Sequence, residues 1–263
     1  METWRGKWAL VTGASAGIGK ALATELAAGR ANLVLCARRR DRLEQLAAEL
    51  SGKHGVRVEV CPADLGTPGA PREIFDFTAS RAIEVDVLIN NAGFGASGEF
   101  TAIPIERLLE MVQVNCAAVV HLTHLYLAGM VARRRGYVMI LASTAAFQGV
   151  PYMSLYAATK GFDLLLAEGL AEEVRRYGVH VSALCPGQTE SEFFQVAGTA
   201  ENSRSGKQTA EKVAHTGLVA LAKGKSFVIS GVMNKLLAES ERLMPRRVVA
   251  RVAGSMYRPK PSH

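Results

Sequence analysis

The sequence predicts one α/β domain, a doubly wound, seven-stranded parallel sheet with helices on both faces. Short β-rich runs alternate with longer helical patterns along most of the 263 residues. The runs are nearly continuous in apolar residues, as in 33–36 and 87–89, and strands covered on both faces of a sheet need that composition. Because strands separated by helices join through right-handed crossovers, this alternation gives a parallel sheet with helices on both sides.

The same pattern assigns each element a place along the chain. Strands are predicted over 7–12, 32–36, 56–62, 85–90, 136–142, 179–184 and 226–230. Helices are predicted over 17–28, 40–50, 70–82, 104–133 and 153–177. Residues 1–231 form the main body, and residues 232–263 form a helical extension of the same domain, with one helix or two over 232–257. The polar segment 195–208 is predicted to be a mobile loop beside the site.

Composition limits the class of protein. Hydrophobic residues make up 49% of the chain, enough for a large core. Cys36, Cys61 and Cys185 fall in or at the ends of apolar runs and form no CxxC pair, so we expect buried, reduced thiols. The first residues are polar, and the sequence suggests no stretch long and apolar enough to span a bilayer. We therefore expect a cytoplasmic protein.

The net charge of +7 leaves several kinds of partner to consider. The basic clusters at 38–40, 133–135 and 246–247 are dispersed and carry no interleaved aromatic residues, so no nucleic-acid partner is expected. The segment 232–257 joins apolar residues to arginines and could contact an anionic membrane, but packing on its own domain or on a sister subunit is favoured. His121 and His124 have no carboxylate or cysteine nearby, and no metal site is expected.

A glycine-rich loop follows the first predicted strand, with the sequence Thr12-Gly-Ala-Ser-Ala-Gly-Ile-Gly19. Glycine lets the backbone turn sharply and approach a pyrophosphate, and the N–H groups that open the next helix point at that anion. The loop therefore predicts a dinucleotide site in a Rossmann-like fold. The residues expected to bind the cofactor here are Gly13, Ser15, Ala16, Gly17, Ile18 and Gly19.

The end of the second predicted strand indicates which nicotinamide cofactor is used. An acidic side chain there would bind the ribose 2′-hydroxyl of NAD. This chain instead has Arg38 and Arg39, with no carboxylate. Because a guanidinium pairs with a 2′-phosphate, we expect NADP(H), with Arg38 as the main contact and Arg39 assisting.

The spacing TGxxxGxG resembles that of the short-chain dehydrogenase/reductase family, and further motifs follow in the family's order. Asn90-Asn-Ala-Gly93 follows the fourth strand, and Ser143 ends the fifth. Tyr156-Ala-Ala-Thr-Lys160 matches YxxxK, and Pro186-Gly187 follows the sixth strand. The resemblance covers most of the chain and points to a bacterial branch with an extended C-terminal helix. Ser230-Gly-Val232 replaces the Asp-Gly-Gly of typical ketoacyl-carrier reductases of fatty-acid synthesis, which argues against that activity.

The catalytic chemistry follows from the types of these residues. A free phenol has a pKa of about 10. Lys160 shares a helix face with Tyr156 at i+4, so its charge is expected to lower the pKa of Tyr156 and make it an effective proton donor. Ser143 can donate a hydrogen bond to the developing alkoxide. The resemblance implies that Asn115 holds a water linking Lys160 to solvent, and that Tyr156 and Lys160 also contact the cofactor.

The resemblance implies further contacts. It implies that Thr189 and Ser191 lie near the nicotinamide carboxamide. Further cofactor-binding residues that it implies are Asp64, Leu65, Asn91, Ala92, Gly93, Pro186 and Gly187. The expected substrate-lining residues are mostly apolar and are Ala145, Phe147, Pro151, Met153, Phe193 and Phe194.

Together these features predict an NADPH-dependent enzyme that interconverts a carbonyl and an alcohol on a small hydrophobic substrate. The alternative is a catalytically silent dinucleotide sensor or scaffold. Such proteins typically lose the tyrosine, whereas this chain retains all four catalytic positions. The family further implies a homodimer or homotetramer, paired through the helices that follow the fourth and fifth strands.

Overall fold

The computed structural model describes residues 2–190, 192, 193, 197 and 207–258. Its strands all pair in parallel, in the order β3-β2-β1-β4-β5-β6-β7 once they are numbered along the chain. This is the predicted seven-stranded, doubly wound sheet. The strands are β1 (Trp8–Thr12), β2 (Asn32–Ala37), β3 (Val58–Pro62), β4 (Val85–Asn90), β5 (Gly136–Leu141), β6 (Val179–Cys185) and β7 (Phe227–Ile229).

Helices cover both faces of the sheet. They are α1 (Gly17–Ala28), α2 (Arg40–His54), α3 (Ala70–Ser80), α4 (Ile105–Val112), α5 (Ala118–Arg133), α6 (Ser154–Val174), α7 (Ala210–Ala222), α8 (Val232–Ser240) and α9 (Arg246–Tyr257). Neighbouring residues of one strand enter opposite cores: Leu10 joins the cluster that includes α3, α5 and α6, and Val11 joins the cluster that includes α1, α2 and α7. The strands are continuously apolar because both of their faces are buried.

Helix α7 lies where no element is predicted from the sequence. Thr209 caps it by accepting a hydrogen bond from the Lys212 N–H at 3.3 Å. Its contact with β6 depends on Gly217, where an added Cβ would lie 2.6 Å from a methyl carbon of Leu184. The helix restores the strand–helix–strand alternation between β6 and β7.

The helix predicted over 104–133 is not regular. A π-helical turn, Gln113–Ala117, joins α4 to α5 and carries Asn115. Residues 105–133 are long enough (29 residues) to cross a membrane, and an 18-residue window within them has a mean hydropathy of 1.4, so the expectation that no stretch qualifies was wrong. In this fold α5 packs on the sheet through buried Leu122 and Met130, as a core helix does.

The C-terminal extension packs partly on its own domain. Ala238 of α8 and Val249 and Ala253 of α9 are buried, and Gly254 lies against Pro151 in the loop before α6. The outer faces remain exposed, with apolar side chains and arginines side by side. The exposed residues include Val232, Met233, Leu236, Leu237, Leu243, Arg246, Arg247, Val248, Arg251 and Val252. Contact of these faces with a sister subunit stays a prediction.

The thiols lie as expected. Cys36 and Cys61 are register partners on β2 and β3, and Cys185 ends β6. All three are free and buried. Within the described ranges, no group of three potential ligands could hold a metal ion.

Candidate active site

The glycine-rich loop forms one wall of a cavity of about 330 Å³ at the carboxyl edge of the sheet, where the strand order reverses beside β1. Gly13 has φ +66°, and a Cβ on Gly19 would lie 2.3 Å from the carbonyl oxygen of Gly13. Ala16 precedes α1 and provides no capping side chain, so the first N–H groups of the helix are available to bind an anion. The cavity therefore suits a phosphate group.

Asn91 also supports this loop through hydrogen bonds that the sequence does not predict. Its Nδ2 donates to the Thr12 carbonyl at 2.8 Å. The Thr12 hydroxyl in turn accepts the backbone N–H groups of Asn91 and Ala92, both at 3.0 Å. These bonds tie the end of β1 to the end of β4. Asn91, Ala92 and Gly93 also line the cavity, where they were predicted.

Two arginines at this cavity bind an anionic side chain of the protein itself. Arg39 donates to the Ser15 hydroxyl at 3.0 Å and to the Glu192 carboxylate at 2.8 Å, and Arg42 donates to the other Glu192 oxygen at 2.7 Å. The hydrogen bonds from Arg42 and Arg39 lower the pKa of Glu192. Arg38 lines the cavity but is 65% exposed, with its nearest carboxylate, Glu110, 3.9 Å away.

The two arginines have different surroundings, and their predicted roles in binding the cofactor stay predictions. Arg39, rather than Arg38, is held by other side chains in the cavity. Arg42 and Glu192 were missed, since Arg42 lies in a helix and Glu192 lies 150 residues further along the chain. Asp64 and Leu65 form the opposite wall, where the Asp64 carboxylate accepts the Gly66 N–H at 3.0 Å.

A second cavity, of about 190 Å³, adjoins the first and shares Ile18, Asn91, Gly93, Leu141 and Phe193 with it. It brings together three of the four predicted catalytic residues and the predicted residues that follow β6. These residues are Ser143, Tyr156, Lys160, Pro186, Gly187 and Thr189.

Ser143 and Tyr156 both line this cavity and are joined by a hydrogen bond between their side chains. The Ser143 hydroxyl also accepts the Ala145 N–H at 3.1 Å, which caps the short helical turn that follows β5. Tyr156 lies in the first turn of α6, and its ring packs against Phe193 with centroids 5.1 Å apart. Both hydroxyls therefore face the space in which a substrate oxygen would bind.

Lys160 is buried and anchored at two points. Its Nζ donates to the Leu141 carbonyl at 2.6 Å and to the Asp163 carboxylate at 3.0 Å. Asp163 is 1% exposed and was not predicted as a site residue. The signal for it in the sequence is a single acidic residue in the apolar run 161–167, one helical turn after Lys160.

The predicted effect on Tyr156 is only partly right. Burial raises the pKa of Tyr156, and this outweighs the lowering by the Lys160 charge and by the Ser143 hydrogen bond. Asp163 and Tyr257 raise the pKa further. Lys160 does act in the predicted direction, but the net pKa in the protein alone lies above that of a free phenol, not below it.

Asn115 lies behind the cavity rather than on its wall. Its amide is fully used: Nδ2 donates to the Phe94 carbonyl at 2.9 Å and to the Thr159 hydroxyl at 3.0 Å, and Oδ1 accepts the Phe94 N–H at 3.1 Å. A Cβ on Gly93 would lie 3.1 Å from Asn115 Oδ1 and 3.4 Å from Lys160 Nζ. The water link from Asn115 to Lys160 stays a prediction.

The substrate side of the cavity is mainly apolar. Ala145, Met153 and Phe193 line it as predicted. Phe147 does not, because it packs against Phe227, and Pro151 lies against α9. The predicted residues Ser191 and Phe194 lie outside the described residues. Lining residues that were missed are Val150, Gln148, Gln188, Ala253 and Tyr257.

Comparison with known proteins identifies the family. A sequence model of the protein family described as short chain dehydrogenase matches residues 7–202 of this chain. The chain belongs to the short-chain dehydrogenase/reductase family.

Among its relatives is a very-long-chain 3-oxoacyl-CoA reductase of the fungus Pyrenophora tritici-repentis, which is 35% identical over 186 residues. That match covers 68% of this chain and 54% of the fungal protein, so the chain spans about half the length of this relative.

Solved structures are similar over nearly the whole chain. A short-chain dehydrogenase from Sphingobium yanoikuyae in complex with NADPH has a TM-score of 0.83 and 30% identity, covering 98% of this chain and 97% of that one. A 7β-hydroxysteroid dehydrogenase has a TM-score of 0.86 and 27% identity, covering 95% and 97%. The C-terminal extension thus has counterparts in solved members of the family.

Proposed function

We propose that this chain is an NADPH-dependent oxidoreductase that interconverts a carbonyl and an alcohol on an apolar small molecule. The observation that carries the proposal is the junction of the two cavities. Ser143, Tyr156 and Lys160 line one, and it shares Ile18 and Asn91 with the other, which is lined by the glycine-rich loop and the arginines. A cofactor lying along the larger cavity would bring its reactive ring to the tyrosine.

The residues of the larger cavity fit NADP(H). The loop can pack this closely only because Gly13 and Gly19 carry no Cβ, which would meet Asn91, Ala92 and the Gly13 carbonyl. The helix N-terminus that follows the loop suits a pyrophosphate. Glu192 occupies an anion site between Arg39 and Arg42, and a 2′-phosphate has the charge and oxygen ligands to replace it. The NADPH complex of the Sphingobium relative supports the same choice. When bound, the nicotinamide would supply a hydride to the substrate's carbonyl carbon.

The chain's own residues handle the proton. In reduction, Tyr156 donates the proton of its hydroxyl to the carbonyl oxygen, while Ser143 donates a hydrogen bond to that oxygen. The Lys160 charge stabilises the phenolate that remains until it is protonated again from solvent. Because the pKa of Tyr156 is raised in the protein, the hydroxyl stays protonated at neutral pH, which suits it to act as an acid.

The cavity lining indicates the substrate class. Of the described lining residues, Lys160 is the only cation, and two hydrogen bonds already hold it. The surrounding side chains are Ala145, Val150, Met153, Phe193 and Ala253. An apolar ketone or aldehyde fits this surface. The relatives named very-long-chain 3-oxoacyl-CoA reductases support an apolar chain beside the carbonyl.

We also propose that two copies pair through the outer faces of α4, α5 and α6. These faces expose Leu109, Val120, Phe162 and Leu165, the last being 70% exposed. Val120 and Phe162 line one apolar cavity together with Val112, and an exposed apolar surface of this kind is typical of an interface. Leu165→Glu should convert a dimer into a monomer in sedimentation velocity, and a monomeric parent protein would contradict the pairing.

The test of the activity is consumption of NADPH with ketones and aldehydes of increasing apolar size. We expect turnover that rises with apolar size until the cavity is filled, and a much lower rate with NADH. Tight NADPH binding without turnover across the panel would favour the alternative, a silent dinucleotide sensor.

A further inference from the structure

Asp163 is a buried carboxylate for which the proposed reaction has no use. Its side chain is 1% exposed and lies among apolar residues of α6. One oxygen is bound to Lys160, and the other has no hydrogen-bond partner within the described part of the chain. Burying a carboxylate is unfavourable unless a charge compensates it. Lys160 is therefore what allows Asp163 to be there.

The same contact restricts Lys160. An ammonium group has three N–H donors. One binds the Leu141 carbonyl at the end of β5, and a second binds Asp163 on the lysine's own helix. A single donor remains for the cavity. The lysine is thus fixed between the sheet and α6, and without Asp163 only the Leu141 contact would hold its end.

We propose that Asp163 is a positioning residue that anchors Lys160 and offsets part of its positive charge, so that Tyr156 stays protonated and the site favours reduction over oxidation. The effect of Asp163 on catalysis rests on the proposed function. The electrostatic part of the inference involves only three side chains of α6, those of Tyr156, Lys160 and Asp163.

The surroundings give Asp163 this influence, because the other titratable groups that face Tyr156, Lys160 and Asp163 are a phenol and two thiols, which are uncharged at neutral pH. Tyr257 from α9 faces Tyr156, Cys116 from the π-helical turn faces Lys160 and Asp163, and Cys185 from the end of β6 faces the same pair together with Glu168. Burial raises the pKa of Cys116 to about 11 and that of Cys185 to about 12. Lys160 and Asp163 are therefore the charges acting on Tyr156 from the described residues around it.

Replacing Asp163 with asparagine keeps the shape and the acceptor for Lys160 but removes the negative charge. Lys160 would then act on Tyr156 without compensation. We expect the midpoint of Tyr156 ionisation to fall by about one pH unit. The measurement is a phenolate absorbance titration of the cofactor-free protein, taken as a difference against the same protein carrying Tyr156→Phe, because the chain has six tyrosines.

Two matched variants separate charge from structure. Asp163→Glu keeps the charge and should restore the parent midpoint. Glu172→Gln removes a charge from an exposed site on the same helix and should leave the midpoint unchanged. The pH dependence of turnover should show the same shift. In Asp163→Asn, the alkaline limb of the pH profile for reduction should move to lower pH by the same amount as the midpoint in the titration. The acid limb of the pH profile for alcohol oxidation should move with it.

An unchanged Tyr156 midpoint in folded Asp163→Asn would overturn the proposal. A shifted midpoint in a protein that reduces no carbonyl would support the electrostatic coupling while the proposed function fails. If Asp163→Asn does not fold, thermal unfolding of Lys160→Met and of Lys160→Met/Asp163→Asn replaces it. We expect the double variant to be the more stable, because Lys160→Met alone leaves a buried unpaired charge. A double variant no more stable than the single one would overturn the proposal.

Discussion

The two ends of the site are built in different ways. The nucleotide end consists mainly of backbone: one glycine-rich loop, the ends of β1, β2 and β4, and an asparagine that ties two of them together. The substrate end collects side chains from the loop before α6, the segment after β6 and the last helix of the described chain. Tyr156 and Lys160 lie where the two ends meet. Binding of the cofactor and reduction of the substrate should therefore be separable by mutation.

Tyr156→Phe should separate cofactor binding from substrate reduction most clearly. The ring and its contact with Phe193 remain, while the proton donor is lost. We expect kcat for ketone reduction to fall by about 10²–10⁴-fold, the usual contribution of a general acid. The NADPH dissociation constant, measured by fluorescence titration, should change by no more than about tenfold, since one hydroxyl contact is at stake. Retained turnover would remove Tyr156 from the proton-donor role.

Arg39→Ala should have the opposite effect, in that it weakens binding of NADPH and leaves the proton donor in place. Loss of a charge-assisted contact costs about 1.5–3 kcal/mol, so NADPH affinity should fall by about 10–100-fold while NADH affinity changes little. Arg38→Ala is the matched comparison, because Arg38 is the more exposed of the two and contacts no other side chain closely. The measurement is the ratio of kcat/KM with NADPH to that with NADH. A larger loss in Arg38→Ala would restore the original prediction that Arg38 is the selector.

The glycine-rich loop can be tested through stability. In Gly19→Ala the new Cβ would meet the backbone oxygen of Gly13, so we expect a loss of about 1–3 kcal/mol in the free energy of unfolding and weaker NADPH binding. Gly52→Ala in α2 meets nothing within 4 Å and should be neutral or stabilising by up to about 1 kcal/mol. Equal stability of the two variants in urea unfolding would show that the loop tolerates a side chain.

The smallest effect is expected at the substrate end. Ala253 of α9 is buried on the cavity wall, and Ala253→Leu should fill part of the 190 Å³. We expect KM for a bulky ketone to rise by about tenfold with little change for a small one. Ala250→Leu, on the same helix but not on the wall, is the control. Identical KM changes for both ketones would remove α9 from the substrate site.

The sequence could predict features that depend on neighbouring residues, but not those that depend on contacts between distant segments. The strands, the glycine-rich loop and the Tyr156–Lys160 pair were predictable because each depends on periodicity or on a local motif. The π-helical turn that carries Asn115 and the bond between Arg39 and Glu192 depend on packing between distant segments. Tyr257, about a hundred residues after Tyr156, reaches the same cavity only because α9 folds back onto the loop before α6.

The net pKa of Tyr156 shows the same limit. The i+4 spacing gives the sign of the lysine's effect, but it does not reveal how deeply the phenol is buried or that Asp163 faces Lys160. Burial is a property of the folded molecule, and here it outweighs the local charge. A motif therefore identifies the proton donor more reliably than it predicts the donor's acidity.

The most direct test of the central claim is the stoichiometry of the reaction with one apolar ketone in a weakly buffered solution. NADPH consumed, alcohol formed and protons taken up from the medium would be measured in the same sample. If the chain reduces the ketone with NADPH, one alcohol and one proton should accompany each NADPH, whichever group donates the proton. If Tyr156 is that donor, the Tyr156→Phe protein in the same assay should form alcohol about 10²–10⁴-fold more slowly. Tight NADPH binding with no alcohol formed from any ketone would contradict the account.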